Sequence, residues 1–102
     1  MLTSKQRAFL RSLATDYETI VMIGKNGLTP EVTVQTADAL AARELIKGKV
    51  LVETSPISPR EAADKLAEET GSEVVQVIGS KFVLYKKKDK DPVIVLPKAK
   101  KK

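Results

Sequence analysis

The chain has 102 residues, with 18 lysines and arginines against 13 acidic residues and a formal net charge of +5. This length suits one compact domain, and there is no apolar run of the roughly 18 residues that a membrane-spanning helix needs. The absence of cysteine and histidine excludes disulfides, thiolate metal sites and the usual general base near neutral pH.

These absences favour a binding protein over an enzyme, so we expect no catalytic residues, no cofactor and no metal site. The N-terminal sequence LTSKQR (residues 2–7) lacks the apolar segment and the cleavage site of a secretory signal. We therefore expect a cytoplasmic protein that does not associate with membranes.

The positive charge is concentrated at the C-terminal end. From residue 86 onward eight lysines stand against two aspartates, which leaves +6 there and −1 for residues 1–85. This asymmetry is consistent with a surface that attracts a polyanion, and equally with a tail that only keeps a nearly neutral domain soluble. We expect residues 87–102 to form a mobile, lysine-rich tail, in which the apolar segment 92–97 could pack in an extended form.

Hydrophobic spacing along the chain predicts the order α-β-α-β-α-β-β. The predicted helices cover residues 3–15, 30–47 and 59–70, and the predicted strands cover 18–23, 49–54, 73–78 and 81–85. The first strand is nearly all apolar, as a strand covered on both faces is. Gly48 is interpreted as the residue that ends the second helix.

Capping and turn residues support this division. Residues 3–6 and 58–61 match capping boxes, and Thr29-Pro30 matches an N-cap followed by proline at the first helical position. Gly79-Ser80 predicts a type II′ hairpin turn. With a right-handed parallel crossover over residues 18–54, the fold class is α/β. We expect a single domain with a four-stranded mixed sheet and helices on its faces.

The loop Gly24-Lys25-Asn26-Gly27 is the strongest candidate site. A glycine turn by itself marks only a change of chain direction. This one lies between the end of a strand and the start of a helix, where free N–H groups and the helix dipole favour an anion. Glycines let a phosphodiester approach the main chain, and Lys25 and Asn26 add a charge and a sequence-neutral donor.

Other cations are predicted to gather near this loop. If the first helix and the first strand are of similar length and antiparallel, Lys5 and Arg7 lie at the loop end, with Arg11 at the margin. Arg60, which opens the third helix, should emerge at the same end. Lys47 and Lys49 are predicted to lie at the far end and outside the site.

Competing sites find little support in the sequence. The triphosphate loop and the dinucleotide fingerprint are both missing. The aromatic residues Phe82 and Tyr85 have opposite parity on the last strand and are interpreted as core or edge residues, which disfavours base stacking. Recognition of RNA phosphates and shape is the better hypothesis, with no DNA specificity expected.

Four segments together resemble a known family. IVMIGKNGLT (20–29), ALAARELIK (39–47), LTSKQR (2–7) and VIGSKFVLY (77–85) resemble the CRM domain, for chloroplast RNA splicing and ribosome maturation, in its stand-alone bacterial, YhbY-like form. The resemblance covers about residues 2–86. Two departures are Gly48, where a β-branched residue is expected, and Arg43, where histidine is frequent.

The resemblance implies an RNA-binding fold similar to the C-terminal domain of translation initiation factor three. It also implies association with precursors of the large ribosomal subunit, and thus a ribosome assembly factor. Gly24, Lys25, Asn26 and Gly27 match the loop that the family uses for RNA contact. The alternative is a protein-interaction module that uses the third helix and residues 93–96 and contacts RNA only incidentally. In either case we expect a monomer.

Overall fold

A computed structural model describes residues 3–87. The elements follow the predicted order, and their bounds are α1 Ser4–Ala14, β1 Thr19–Ile23, α2 Pro30–Arg43, β2 Leu45–Val50, α3 Pro59–Thr70, β3 Glu73–Ile78 and β4 Lys81–Tyr85. The predicted mobile tail, apart from Lys87, and its apolar segment lie outside the described residues. Within the described range, no helix combines the length and the apolar character needed to cross a membrane.

Hydrogen bonds at the helix N-termini confirm the predicted starts. The Thr3 hydroxyl accepts the Gln6 N–H at 3.1 Å, and the Gln6 side chain accepts the Thr3 N–H at 3.1 Å. The same reciprocal arrangement joins Ser58 and Glu61 at the start of α3, and the Thr29 side chain caps α2. Each cap satisfies backbone donors that would otherwise lack partners, and so fixes where its helix begins.

The four strands form one mixed sheet in the order β1-β2-β4-β3. β1 and β2 are parallel, whereas β4 is antiparallel to both of its neighbours, which confirms the predicted sheet. Gly79 has a φ of 58° and Ser80 has no positive φ, the pattern of the predicted type II′ turn. β2 and β4 are central, and β1 and β3 form the edges.

Each face of the sheet has its own hydrophobic core. α2 and α3 cover one face, and Phe82 is buried in that core. α1 covers part of the other face, where Leu10 and Ala14 pack against a smaller core that contains Tyr85. The two aromatic side chains therefore lie on opposite faces of β4 as core residues, as predicted.

The predicted boundary between the second helix and the second strand is wrong. α2 ends at Arg43, and β2 spans Leu45–Val50 instead of 49–54. Glu44 makes the break with a φ of 67°. The sequence around it favours helix by propensity, but strand geometry buries alternate residues of β2 in the two cores. That burial outweighs the small differences in propensity.

Gly48 lies in the middle of β2 and is required there by Phe82. The two residues are paired across the β2–β4 ladder. A Cβ at Gly48 would lie 2.3 Å from the Phe82 Cζ atom, and the Phe82 side chain is fully buried. The aromatic ring therefore occupies the space that a side chain at Gly48 would take, so Gly48 does not end a helix.

We expect Gly48→Ala to destabilise the protein by about 1–3 kcal/mol, because the new methyl group forces the Phe82 ring out of its packed position. Urea unfolding measures this change. Gly24→Ala is the matched control, since the nearest atom to its Cβ is Leu51 Cδ1 at an ordinary 3.8 Å. A Gly48→Ala protein as stable as the wild type would contradict the packing described.

The hydroxyl of Tyr85 is buried and has no hydrogen-bond partner among residues 3–87. Burial raises the pKa of this phenol above its ordinary value of 10.0, and the negative charges of Glu44 and Glu73 raise it further. The folded protein therefore resists ionisation of Tyr85 more than the unfolded chain does. The resulting stability is present below pH 10 and is lost as the pH rises from 10 toward the higher pKa of the folded state.

We expect Tyr85→Phe to keep or raise the free energy of unfolding at pH 7, by up to about 1 kcal/mol, because it removes an unsatisfied polar group. Above pH 10 the variant should lose less stability than the wild type. Thermal unfolding at pH 7 and pH 10.5 tests both effects, with the exposed Tyr17→Phe as control. A clear loss of stability at pH 7 would mean that the hydroxyl does have a partner.

Candidate nucleic-acid interface

The glycine loop is a tight turn that leads from β1 into α2. The Gly27 N–H donates to the Gly24 carbonyl at 3.0 Å, which places Lys25 and Asn26 at the exposed tip. Gly27 is buried with a φ of 66°, and a Cβ there would lie 3.1 Å from Pro56 Cγ. The second glycine is therefore required both by the backbone conformation and by contact with the segment before α3.

The hydrogen-bond donors at the tip of the turn have no acceptor in the described part of the chain. Among residues 3–87, the side chains and the N–H groups of Lys25 and Asn26 have no hydrogen-bond partner. α2 begins shortly after, where Thr29 accepts the Val32 N–H at 3.2 Å and Pro30 has no N–H to satisfy. A phosphate group accepts hydrogen bonds from groups of this kind: a positive side chain, an amide and free main-chain N–H groups.

Three loops meet at this end of the sheet, and we call residues 24–28, 51–58 and 79–80 together the loop edge. Two backbone hydrogen bonds join them through the strand ends, Leu51 N–H to the Ile23 carbonyl at 2.8 Å and Val50 N–H to the Ser80 carbonyl at 2.7 Å. Because β1 and β2 are parallel, their carboxyl ends share this edge. The glycine loop thus packs against residues 51–58, which these hydrogen bonds hold in place.

Arg60 lies at the same end, in the first turn of α3, as predicted. Its Nε is 3.5 Å from Asp64 Oδ2, and the two side chains are 68% and 56% exposed. An ion pair this exposed contributes little to stability. Arg60 can therefore turn from Asp64 to an anion at the loop edge at small cost.

The predicted position of Lys5 and Arg7 is wrong. The Arg7 guanidinium donates to the carbonyl of Val74, at the start of β3, which is the edge strand farthest from β1. Toward its C-terminal end, α1 passes β2, where Lys47 Nζ donates to the Thr15 carbonyl at 3.5 Å. The helix therefore crosses the sheet from β3 toward β2. Equal lengths of helix and strand did not specify that crossing, so Lys5 and Arg7 lie away from the glycine loop.

Lys47 and Lys49, which sequence reasoning placed outside the site, lie with Lys81 on a partly uncovered face of the sheet. Arg11 is exposed and lines a shallow depression of about 260 Å³ together with Lys47, Ile78 and Lys81. Lys49 is paired with Lys81 across the β2–β4 ladder and with Met22 on β1.

We call Met22, Lys47, Lys49, Ile78 and Lys81 the open sheet face. Lys49 lies next to Val50, the last residue of β2, whose N–H donates to the Ser80 carbonyl. It is therefore close to the loop edge and not at the far end of the sheet as predicted. Alternating lysines in the sequence LIKGKV were the available signal for Lys47 and Lys49, but the assignment of residues up to 47 to the second helix concealed this alternation. β1 was also expected to be covered on both faces, yet Met22 is 53% exposed, because α1 does not reach this edge strand.

A metal site finds no support in the described part of the chain. Residues 3–87 contain no group of three or more acidic side chains placed to hold a metal ion.

Comparison with known protein families assigns this chain to one of them. Residues 2–86 match a family model described as the CRS1 / YhbY (CRM) domain. The chain belongs to this family. The match covers nearly the whole chain and has the same limits as the sequence resemblance. In the CRM-domain protein described here, the glycine loop, the loop edge and the open sheet face all fall within the matched residues.

Several relatives are similar over most of their length. The Bacillus subtilis (strain 168) protein named "Probable RNA-binding protein YqeI" is 41% identical over 97 residues, 95% of this chain and the whole of the relative. A Haemophilus influenzae protein named "RNA-binding protein" is 39% identical over 88 residues, which cover 83% of this chain and 85% of that protein.

A solved structure confirms the fold of this CRM-domain protein. The solution structure of SAV1595 from Staphylococcus aureus, described as a candidate RNA-binding protein, has a TM-score of 0.77 and 43% sequence identity to this chain. It covers 95% of this chain and 100% of the solved one. At that level of identity and coverage, the two chains share one α/β architecture.

We expect Gly27→Ala to lower stability by about 1–2 kcal/mol, because an L side chain at this positive φ is strained and its methyl group presses on Pro56. Chemical unfolding measures the effect. Lys25→Ala, at the exposed tip of the same turn, is the control and should stay within about 0.5 kcal/mol of the wild type. Equal stability of the two variants would contradict the conformation described for Gly27.

Proposed function

We propose that this CRM-domain protein is an RNA-binding ribosome assembly factor that associates with precursors of the large ribosomal subunit. The observation that carries the proposal is the tip of the glycine loop, where Lys25 and Asn26 project from a braced turn with their donors free of partners in the described chain. The names of the relatives refer to RNA binding and support that part of the proposal. The family resemblance suggests the ribosomal particle.

The turn suits a phosphodiester backbone better than a base. Gly24 carries no side chain to obstruct the approach, and the donors at the tip carry no information about base identity. The aromatic rings that could stack on bases, Phe82 and Tyr85, are buried. The proposed interaction is therefore a grip on the shape and charge of structured RNA, and its affinity should fall steeply with salt.

The other predicted cations take unequal parts in this proposal. Arg60 shares the loop edge and can add a second charge to the grip of Lys25. Arg11 borders the open sheet face, farther from the turn. Lys5 and Arg7 lie away from the loop edge, and Arg7 is engaged by the Val74 carbonyl, so we assign them at most a contact with a distant part of the RNA.

We propose further that the protein acts in the cytoplasm by binding rather than by catalysis, and as a monomer. A missing general base and a missing phosphate loop support a non-enzymatic role. Residues 3–87 form one sheet with a core on each face, and this arrangement suits a surface that docks on a larger RNA.

Sucrose-gradient sedimentation of cell extract tests the proposal. We expect the wild-type protein to sediment with large-subunit precursors at low salt and to leave them as the salt concentration rises. Lys25→Ala/Asn26→Ala should bind protein-free large-subunit ribosomal RNA about tenfold more weakly, since it removes a charge-assisted contact and a second donor. Filter binding across a salt series gives that affinity.

Lys65→Ala is the matched control, because it removes the same charge from an exposed position on α3. Both proteins should retain wild-type stability within about 0.5 kcal/mol. Wild-type protein found only at the top of the gradient at low salt would refute the ribosomal role. Unchanged RNA affinity in the loop variant, with normal wild-type binding, would move the site away from the glycine loop.

A further inference from the structure

A row of four neighbouring side chains crosses the open sheet face near the loop edge. Met22 on β1 is paired with Lys49 on β2, Lys49 with Lys81 on β4, and Lys81 with Ile78 on β3. Directly paired residues project from the same face of a sheet. The row therefore places two adjacent cations between two apolar side chains.

The central pair of this row is electrostatically unfavourable. Like charges directly opposite each other on neighbouring strands destabilise a sheet. Neither the Lys49 side chain nor the Lys81 side chain has an ion-pair or hydrogen-bond partner among residues 3–87. Two further cations, Lys47 and Arg11, lie beside them around the depression under α1. The fold thus holds four positive charges together. No described carboxylate forms an ion pair with them, although Glu53 lines a depression with Lys49 and Glu18 lines one with Lys47.

The apolar ends of the row are also uncovered. Ile78 is 61% exposed and Met22 is 53% exposed, on the part of the face that α1 leaves open. Lone exposed apolar residues are common on protein surfaces. Here they flank a lysine pair, so a ligand that fits the whole row needs negative charge at its centre and apolar surface on either side.

We propose that the open sheet face is a second RNA-binding surface, on which Lys49 and Lys81 contact phosphates while Met22 and Ile78 pack against sugars or bases. Lys47 and Arg11 extend the positive surface toward α1. This inference rests on the proposed RNA-binding function and adds a site that is distinct from the glycine loop. RNA fits the row because its chain alternates anionic phosphates with the flat faces of bases and the C–H groups of ribose, which can contact apolar side chains.

The geometry allows one RNA segment to occupy both surfaces. Met22 is separated from Gly24 by one residue, and neighbouring strands lie about 4.8 Å apart, so Lys81 is roughly 10 Å across the sheet from β1. A strand that leaves the glycine loop can therefore continue over the lysine pair. Binding there would also neutralise the repulsion between Lys49 and Lys81.

The variant Lys49→Gln/Lys81→Gln tests this surface, because glutamine keeps two of the four methylene groups and a polar end group while it removes the charge. Filter binding to protein-free large-subunit ribosomal RNA should weaken about tenfold or more, and the salt dependence should become shallower by about 1.4–1.8 log units per log unit of salt, for two phosphates. The melting temperature of the free protein should stay the same or rise. Lys65→Gln/Arg43→Gln, which removes two charges from α2 and α3, is the control.

Crosslinking provides a second readout that leaves all lysines in place. Because the chain has no cysteine, Ile78→Cys can carry a single photo-crosslinker on the open sheet face, and Asp38→Cys can carry one on the solvent side of α2. We expect RNA crosslinks from position 78 and few or none from position 38. This readout decides the matter if the double glutamine variant loses stability.

The outcomes separate this inference from the proposed function. Wild-type protein that fails to bind ribosomal RNA refutes both. Normal wild-type binding, with an unchanged affinity and salt dependence in the double glutamine variant, refutes only the second surface. Crosslinks from position 78 to protein rather than RNA within the ribosomal particle would also overturn it, in favour of a protein-docking face.

Discussion

The contact between Phe82 and Gly48 is the constraint on which the rest of the structure depends. It joins the two central strands and buries a whole aromatic ring over a residue without a side chain. β2 alternates its residues between the cores on the two faces, so the register of this strand determines which side chains meet α1 and which meet α2 and α3. A shift by one residue would exchange those sets.

The same register sets the composition of the candidate binding surfaces. With Gly48 turned toward Phe82, Lys47 and Lys49 must project from the opposite face. β1 runs parallel to β2, which brings the glycine loop to the end of the sheet where the segment before α3 also emerges. The packing of the core and the placement of positive charge thus arise from a single alignment of strands.

Local signals in the sequence were sufficient where structure depends on neighbours along the chain. The capping boxes at Thr3 and Ser58 and the turn at Gly79 each involve a few adjacent residues, and each was predicted correctly. The family motif also identified the kinship. The role of Asn26, of Lys25 and of the other cations in RNA binding remains a prediction.

Features that depend on distant residues were predicted poorly. Whether residues 45–47 form helix or strand depends on cores that exist only after β4 has paired with β2, and Gly48 resembles a helix stop until Phe82 lies against it. The direction of α1 is determined by packing on β3 and β4, which no pattern within residues 3–15 specifies. The open sheet face was missed for the same reason, since its lysines meet only through strand pairing.

The last described residues determine where the C-terminal lysine-rich sequence is attached to the folded domain. Lys86 donates its backbone N–H to the Glu44 carbonyl at 2.8 Å and its Nζ to the Thr70 carbonyl at 2.9 Å, which fastens the end of β4 opposite the loop edge. The lysine-rich sequence after residue 87 is therefore attached about 20 Å from the glycine loop, the length of a strand. In the proposed function, attraction of RNA by the C-terminal lysines and contact with RNA at the glycine loop would therefore start from opposite ends of the domain. RNA held at both points would be bound bivalently, with an effective concentration set by the rigid sheet between them.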